Sequence, residues 1–509
     1  MFGRKKGKQQ QNDTATLNQE NRSIEKQPFD ERKLRQLFET NTDVSFQSLS
    51  FKENEEQPVV FVFCNGLIDK KTMDQVIYER FVDFFRKIGN QRLSEKTVKE
   101  HLFVPGLKQL ENEKQLIADI FAGKLIVLFE REKLLFSIDI SDRPQRKPED
   151  TNTEVQIKGP RDDFIEDLST NIALVRKRMR TKSLAVKKYE LGTRTKTEIA
   201  VLYLDDVVNQ DILKELDHRL QRIEIDGIYS GMQLKELLSD KPFAFFPIFH
   251  YTGRPDFAVQ SLLSGRFLIM IDGIAYAIVG PITLPLLLKT GEDLENIYLF
   301  NTFERLVRIF GLLIATLAPG FWVALVSFHQ NQLPLVFLAT VVESEKGVPL
   351  PTTVEALLML SLFEIFREAG LRLPTAIGQT LSVVGGLIIG EAAIRAGLSS
   401  PLMIVIIATS SVATYTLVSL SLHGVISLLR FFVVLLVSFF GFFGFFVALY
   451  LIVMYMANIQ SFGINYLSVP DRFDLSQIIK TFTRLPEAFY KTRPSMLNPK
   501  DETRKPRKE

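Results

Sequence analysis

The 509-residue chain carries a single cysteine, Cys64. One thiol cannot close an intrachain disulfide, so nothing in the chain asks for an oxidising compartment. The five histidines (His101, His218, His250, His329, His423) are scattered, with no His/Cys cluster at metal-ligand spacing, which argues against a structural zinc site. Signatures of nucleotide and hydrolase chemistry are missing as well. No G-x-G-x-x-G follows a strand, and there is no Walker-type GKS or GKT, no G-x-S-x-G and no HExxH. Without a nucleophile–base or metal set, an enzyme is the weakest functional class. The first 28 residues lack an apolar run, so they are no secretory signal and read as a disordered polar tail.

Charge is scarce too, but only in one place. Between Leu306 and Pro470 twelve residues are Asp, Glu, Lys or Arg, about 7%, against about 32% in the rest of the chain. One class of protein cannot carry both figures, so a polar part is joined to a membrane part.

The polar part reads as a duplicated α/β unit. VVFVF (59–63) is a strand candidate followed by Asn65-Gly66 and a helix-like stretch, and IAVLYL (199–204) repeats that order through Asp205-Asp206. IFAGKLIVLFEREKLLF (120–136) aligns with LLSGRFLIMIDGIAYAI (262–278) at a constant offset of 142. In each, a helix end meets glycine (Gly123, Gly265), then two apolar runs flank a turn. On hydropathy alone residues 267–288 resemble a membrane span. Asp272-Gly273 is instead a hairpin signal, and the sister copy places Glu130, Arg131, Glu132 and Lys133 at its turn, which a bilayer would reject. Both copies are expected to be soluble β-hairpins. The basic stretch 176–188 lacks interleaved aromatics and lies beside DDFIED, so it reads as a solvated or subdomain-facing helix, with no nucleic acid as partner. Asp205-Asp206 reads as a turn or cap, not a catalytic dyad.

In the membrane part, residues 309–328 are twenty uncharged residues behind Arg305 and Arg308, enough for ~30 Å of hydrocarbon. Pro319-Gly320 predicts a kink or break there, and the positive-inside rule puts the polar part in the cytoplasm. Residues 331–351, with three prolines and Glu343, Glu345 and Lys346, read as a re-entrant or exterior loop. Thr352-x-x-Glu355 is a capping box opening an amphipathic helix at 352–369. Glu364, Arg367 and Glu368 cluster on one face of it, interfacial or packed into the bundle. The next span, 374–394, is rich in small residues, and Gly386-x-x-x-Gly390 has small-xxx-small spacing. Gln379, Ser382, Gly386, Gly390 and Glu391 are its candidate pore-lining or helix-packing residues; lipid would penalise Gln379 and Glu391. An equal reading is packing glycines with a Glu391–Arg395 pair at the membrane edge.

Further spans are expected near 401–423 and 432–456. The forty uncharged residues after Arg430 would reach ~60 Å as one helix, so that stretch must be more than one straight span. The eight phenylalanines between Phe431 and Phe446 read as lipid-facing bulk, and NIQSFGINYLSVP as a surface return. Four spans keep the charged tail on the side of the polar part but leave Arg372 and Arg430 on the wrong side. The expected fold is thus a duplicated α/β soluble domain (29–150 and 155–300) followed by an α-helical transmembrane domain (305–470), with a tail at 1–28 and a basic cytoplasmic tail at 471–509.

Several of these segments are similar to the GerA family, the A subunits of spore germinant receptors. They are GPRDDFIEDLSTNIALVRKRMRT (159–181), Arg194-Thr195-Lys196-Thr197, IEIDGI (223–228), Arg254-Pro255-Asp256, the Asp272-Gly273 hairpin, VPLPTTVEALLMLSLFEIFREAGLRLP (348–374), and Ile377-Gly378-Gln379 through Gly390-Glu391-Ala392-Ala393. The similarity runs from about 155 to 490, and more weakly over the first unit. Gly253 departs from it, standing where the family usually has an acidic residue. The resemblance implies a spore inner-membrane protein with its soluble domain and C-terminal tail facing the core. It implies a permease-like B subunit and a lipoprotein C subunit as partners, homo-oligomerisation, and no cofactor. It also implies a nutrient-gated channel for monovalent cations, here with the 374–395 helix along the path. The competing expectation is a non-conducting scaffold that relays the signal; a self-contained transporter finds no matched inverted repeat.

Overall fold

The computed structural model describes residues 29–51, 54–89, 92–142, 160, 162–239, 244–372, 390–467, 483–490 and 492–504. The tail at 1–28 and most of the expected span at 374–394 lie outside these residues.

Short apolar runs build two five-stranded sheets. In the first, β1 (Val44–Phe51), β2 (Asn54–Cys64), β3 (Lys108–Gln109), β4 (Leu125–Phe129) and β5 (Leu134–Ile138) lie in the order β1-β2-β4-β5-β3. In the second, β6 (Leu184–Leu191), β7 (Thr197–Leu204), β8 (His250–Thr252), β9 (Phe267–Ile271) and β10 (Ala277–Gly280) lie in the order β6-β7-β9-β10-β8. Adding five to each label turns one order into the other, and every neighbouring pair is antiparallel. Even the register repeats: Val59 faces Phe129, Ile199 faces Ile271, and the next three pairs follow in step.

Each sheet is covered on both faces, which is why β4 and β9 are apolar at every position. Successive strand residues point to opposite faces. Val59, Phe61, Val127 and Phe129 therefore pack under α1 (Tyr78–Ile88), which contributes Phe81, Phe84 and Phe85. Val60, Val62, Ile126 and Leu128 pack on the other side against Leu116 and Ile120 of α2 (Glu113–Ile120). The run 267–280 is likewise a buried hairpin. Its turn is fastened by the Asp272 carboxylate, which accepts from the Leu168 amide at 3.3 Å at the start of α3 (Leu168–Arg178).

The two units are joined by a buried ion pair. Arg176 on α3 is fully buried and donates to both oxygens of Asp43, at 2.7 and 2.9 Å, with its guanidinium 4.1 Å from the Phe121 ring centroid. Asn41 Nδ2 donates to Leu184 O at 2.6 Å, and the backbones of Thr42 and Val186 pair at 3.1 Å. Of the two readings open for the 176–188 stretch, the subdomain-facing one describes its first residue.

Helices follow: α4 (Pro255–Leu263) in the second unit, then α5 (Tyr298–Phe328), α6 (Leu335–Glu345), α7 (Thr352–Arg372), α8 (Pro401–Thr414) and α9 (Leu420–Ala457). Among the described residues α5 and α9 are the two helices long and apolar enough to cross a membrane. Several expectations are corrected here. Residues 331–351 hold the helix α6 where a loop was expected. The segment 401–423 is helical only to Thr414 before a break, after which α9 begins.

The expected single span at 432–456 is divided, because α9 folds back on itself at Gly441 (φ 56°, ψ −136°). A Cβ at Gly444 would lie 2.3 Å from Leu436 O, although residues eight apart in a straight helix are separated by ~12 Å. Phe328 packs on Gly441 while Phe321, a helical turn or two earlier, meets Phe445, so the second arm runs back along α5. That arm returns to the second α/β unit, where Tyr455 Oη accepts from Phe245 N at 2.9 Å. The sequel is no surface return. The hairpin β11 (Gln460–Ser461) and β12 (Ile464–Asn465) sinks into that unit: Ser461 Oγ donates to Ile248 O at 3.0 Å, and Phe462 packs edge-on against Phe249 and Phe267.

Candidate functional site

Among its described residues the apolar bundle buries Arg430 and Glu355 and half-buries Glu364 and Arg367. The centre is Arg430 on α9, only 5% exposed. Its Nε donates to Ala315 O at 2.8 Å, Nη2 to Thr414 Oγ1 at 2.7 Å and Ser410 O at 3.2 Å, and Nη1 to Ser411 Oγ at 3.3 Å. The carbonyl of Ala315 is available because its normal helical donor, four residues on, is Pro319, which has no N–H. Helix α5 is continuous through Pro319-Gly320, so the expected interruption is no break, and the freed acceptor is satisfied by Arg430 and by Ser410 Oγ at 2.9 Å. Gly320 lets α9 close in: a Cβ there would lie 2.5 Å from a Val433 methyl.

The charges acting on Arg430 come from α7: Glu364 and Arg367. These two pair with each other, and the second Glu364 oxygen accepts from Ser427 Oγ on α9 at 3.1 Å. Arg367 Nε is buried without a hydrogen-bond partner among the described residues. Of the predicted cluster, Glu364 and Arg367 thus face the bundle, and Glu368 is exposed.

Glu355 forms a second buried station. Its role in a local capping box is corrected: the carboxylate leaves its own helix end and accepts from Ser400 N (2.6 Å), Ser400 Oγ (2.8 Å) and Ser399 Oγ (2.9 Å). These groups open α8, so the acid sits where the helix dipole favours negative charge. Glu355 is 1% exposed, and desolvating a carboxylate requires this full set of donors.

The predicted glycine-rich helix is seen only at its end, since Gln379, Ser382 and Gly386 lie outside the described residues. Gly390 is half-buried near Ile404 of α8. Glu391 is exposed and held by Arg395 at 2.6 and 3.1 Å. In the second α/β unit Arg254 pairs with Asp256 at 2.7 and 3.0 Å, so the arginine beside Gly253 has an acidic partner two residues on. Among the described residues no group of His, Cys, Asp and Glu is placed to hold a metal.

The family model for the Bacillus/Clostridium GerA spore germination protein matches residues 32–496, across both α/β units and the bundle. The chain belongs to the GerA spore germination family. Among GerA relatives it is 40% identical to spore germination protein XA of Bacillus anthracis, over 92% of this chain and 96% of that one. It is 30% identical to spore germination protein B1 of Bacillus subtilis (strain 168), over 92% and 97%. A crystal structure of the N-terminal domain of the A subunit of the Bacillus megaterium spore germinant receptor GerK3 covers 50% of this chain and 96% of its own, at 22% identity and a TM-score of 0.39. Sequence reading of this GerA chain missed the Arg430 centre. The signal was present in Pro319, whose missing N–H frees a carbonyl, and in a lone arginine among 34 uncharged residues before it and forty after.

Proposed function

We propose that this chain is the A subunit of a nutrient germinant receptor in the spore inner membrane and that it initiates germination. The observation that carries the reading is the family match from residue 32 to 496, which takes in the soluble units and the buried polar centre together. The subunit works beside a permease-like B subunit and a lipoprotein C subunit. It has no catalytic role and needs no cofactor. It forms a homo-oligomer that conducts monovalent cations, with Gln379, Ser382, Gly386, Gly390 and Glu391 along the path and Glu391 drawing cations to its mouth. About four crossings keep the soluble units and the tail on the core side. The packing of Leu497 and of β11–β12 onto the second unit supports that common side.

A specific observation favours a second reading, a non-conducting scaffold that relays the signal. The Glu391 carboxylate is neutralised by Arg395, which suits a helix-packing role for this segment. Deleting the gene tests the shared part of both readings. Spores lacking the chain should lose the germination response to at least one nutrient and regain it on complementation. Spores that respond to every nutrient as the parent does would exclude a receptor role.

A further inference from the structure

Where the second α/β unit, the start of α5 and the C-terminal segment meet, there is a cavity of about 170 Å³. Among the described residues six basic side chains line it (Arg266, Lys289, Arg305, Arg484, Arg493, Arg504) and one acid, Asp293. The acid is already engaged: its two oxygens accept from Arg305 and Arg308, each at 2.9 Å. Arg493 is held by Asp501 at 2.6 Å. Arg266 is 5% exposed, its Nε donates to Pro281 O at 3.1 Å, and the residue lines the cavity. The Lys289 ammonium has no ion pair or hydrogen bond among the described residues. Burial, with the repulsion of Arg305 and Arg266, brings its pKa down to about 7, and burial brings Arg266 down to about 10. Arg266 and Lys289 thus stand at the cavity without a carboxylate of their own among the described residues, and a partly desolvated cationic wall favours an anion.

We propose that this cavity binds a multiply charged oxyanion of the phosphate class, clamped between Lys289, Arg266 and Arg504. An anion there fastens three parts of the chain at once: Lys289 and Arg266 belong to the second unit, Arg305 to α5, and Arg504 to the C-terminal segment. The phosphate group can come from a soluble ion or from a phospholipid.

The test has two arms on the full-length chain. In phosphatidylcholine nanodiscs, inorganic phosphate is titrated and binding heat recorded. In mild detergent, retention of phosphatidylglycerol is followed by native mass spectrometry. Lys289→Gln and Arg504→Gln should each weaken binding about tenfold, the loss of one charge-assisted hydrogen bond. Lys289→Gln should melt no earlier than the parent without anion, since it removes a half-buried cation that Arg305 and Arg266 repel. Phosphate binding with this variant dependence identifies the soluble ion as ligand, and retention of phosphatidylglycerol with it identifies the lipid. Binding in neither arm, or binding that both variants leave unchanged, overturns the proposal.

Discussion

At the scale of single residues, the structure turns on charges that water does not reach. Arg430 is tolerated because four acceptors are aimed at it, one of them made available by Pro319. Removing one member of such a set leaves the rest unpaired, so Arg430→Met should cost about 3 kcal/mol. Pro319→Ala restores an N–H for Ala315 O and should reduce that cost by about 1 kcal/mol. Unfolding of the four members of this double-mutant cycle in detergent measures both figures; additive effects would separate the proline from the arginine. Arg176 and Asp43 play the same part between the α/β units, with Cys64 Sγ 3.4 Å from an Asp43 oxygen. Burial first, then Asp43, pushes the Cys64 thiol well above its usual range. Cys64 should therefore resist maleimide in the native chain and react only on unfolding. Labelling as fast as a free thiol would contradict the joint.

His250 makes the soluble part sensitive to acid. Burial, helped by Lys235 and Arg266, lowers its pKa from 6.5 to about 4, and its Nδ1 has no partner among the described residues. Unfolded chains take up a proton between those two values that the folded chain refuses, so stability present above about pH 6.5 drains away as pH falls. The loss reaches roughly 3 kcal/mol near pH 4. Melting of His250→Gln should shift less than the parent between about pH 7 and about pH 5; an equal shift would place the acid sensitivity elsewhere.

At the scale of elements, the contrast is between local and distant chemistry. The repeat at an offset of 142 and the Asp272-Gly273 turn made the duplicated hairpins legible, because turn residues and strand period act over a few positions. β4 and β9 stand at that same offset. Glu355 shows where local reading stops: its motif opens α7, but the carboxylate belongs to Ser399 and Ser400, 44 and 45 residues away. Gly441 was hidden for another reason. A glycine in a phenylalanine-rich helix reads as a packing site until its positive φ is known, and that angle reverses the chain. Gly441→Ala places a Cβ 3.0 Å from the Phe328 ring and strains the backbone, at a cost of roughly 2 kcal/mol. A cysteine pair at positions 321 and 445 should cross-link in the parent and fail to do so in Gly441→Ala; equal cross-linking would mean that the reversal does not depend on this glycine.

At the scale of the whole molecule, the soluble units and the bundle are bound together by chain continuity and by returning contacts. The second arm of α9 ends against Phe245 and Phe246, β11–β12 enter the second unit, and the cationic cavity sits at the base of α5. Such a frame suits the proposed role, in which a signal passes between the helical bundle and the α/β units. The receptor reading makes conduction its central claim, and one measurement tests it directly. The full-length chain is reconstituted with the proposed B and C subunits in sealed vesicles, and monovalent cation efflux is followed on adding germinant. The account predicts germinant-dependent efflux that falls several-fold in Glu391→Gln while assembly is unchanged. Assembled vesicles that release no cations on germinant addition would contradict it and leave the scaffold.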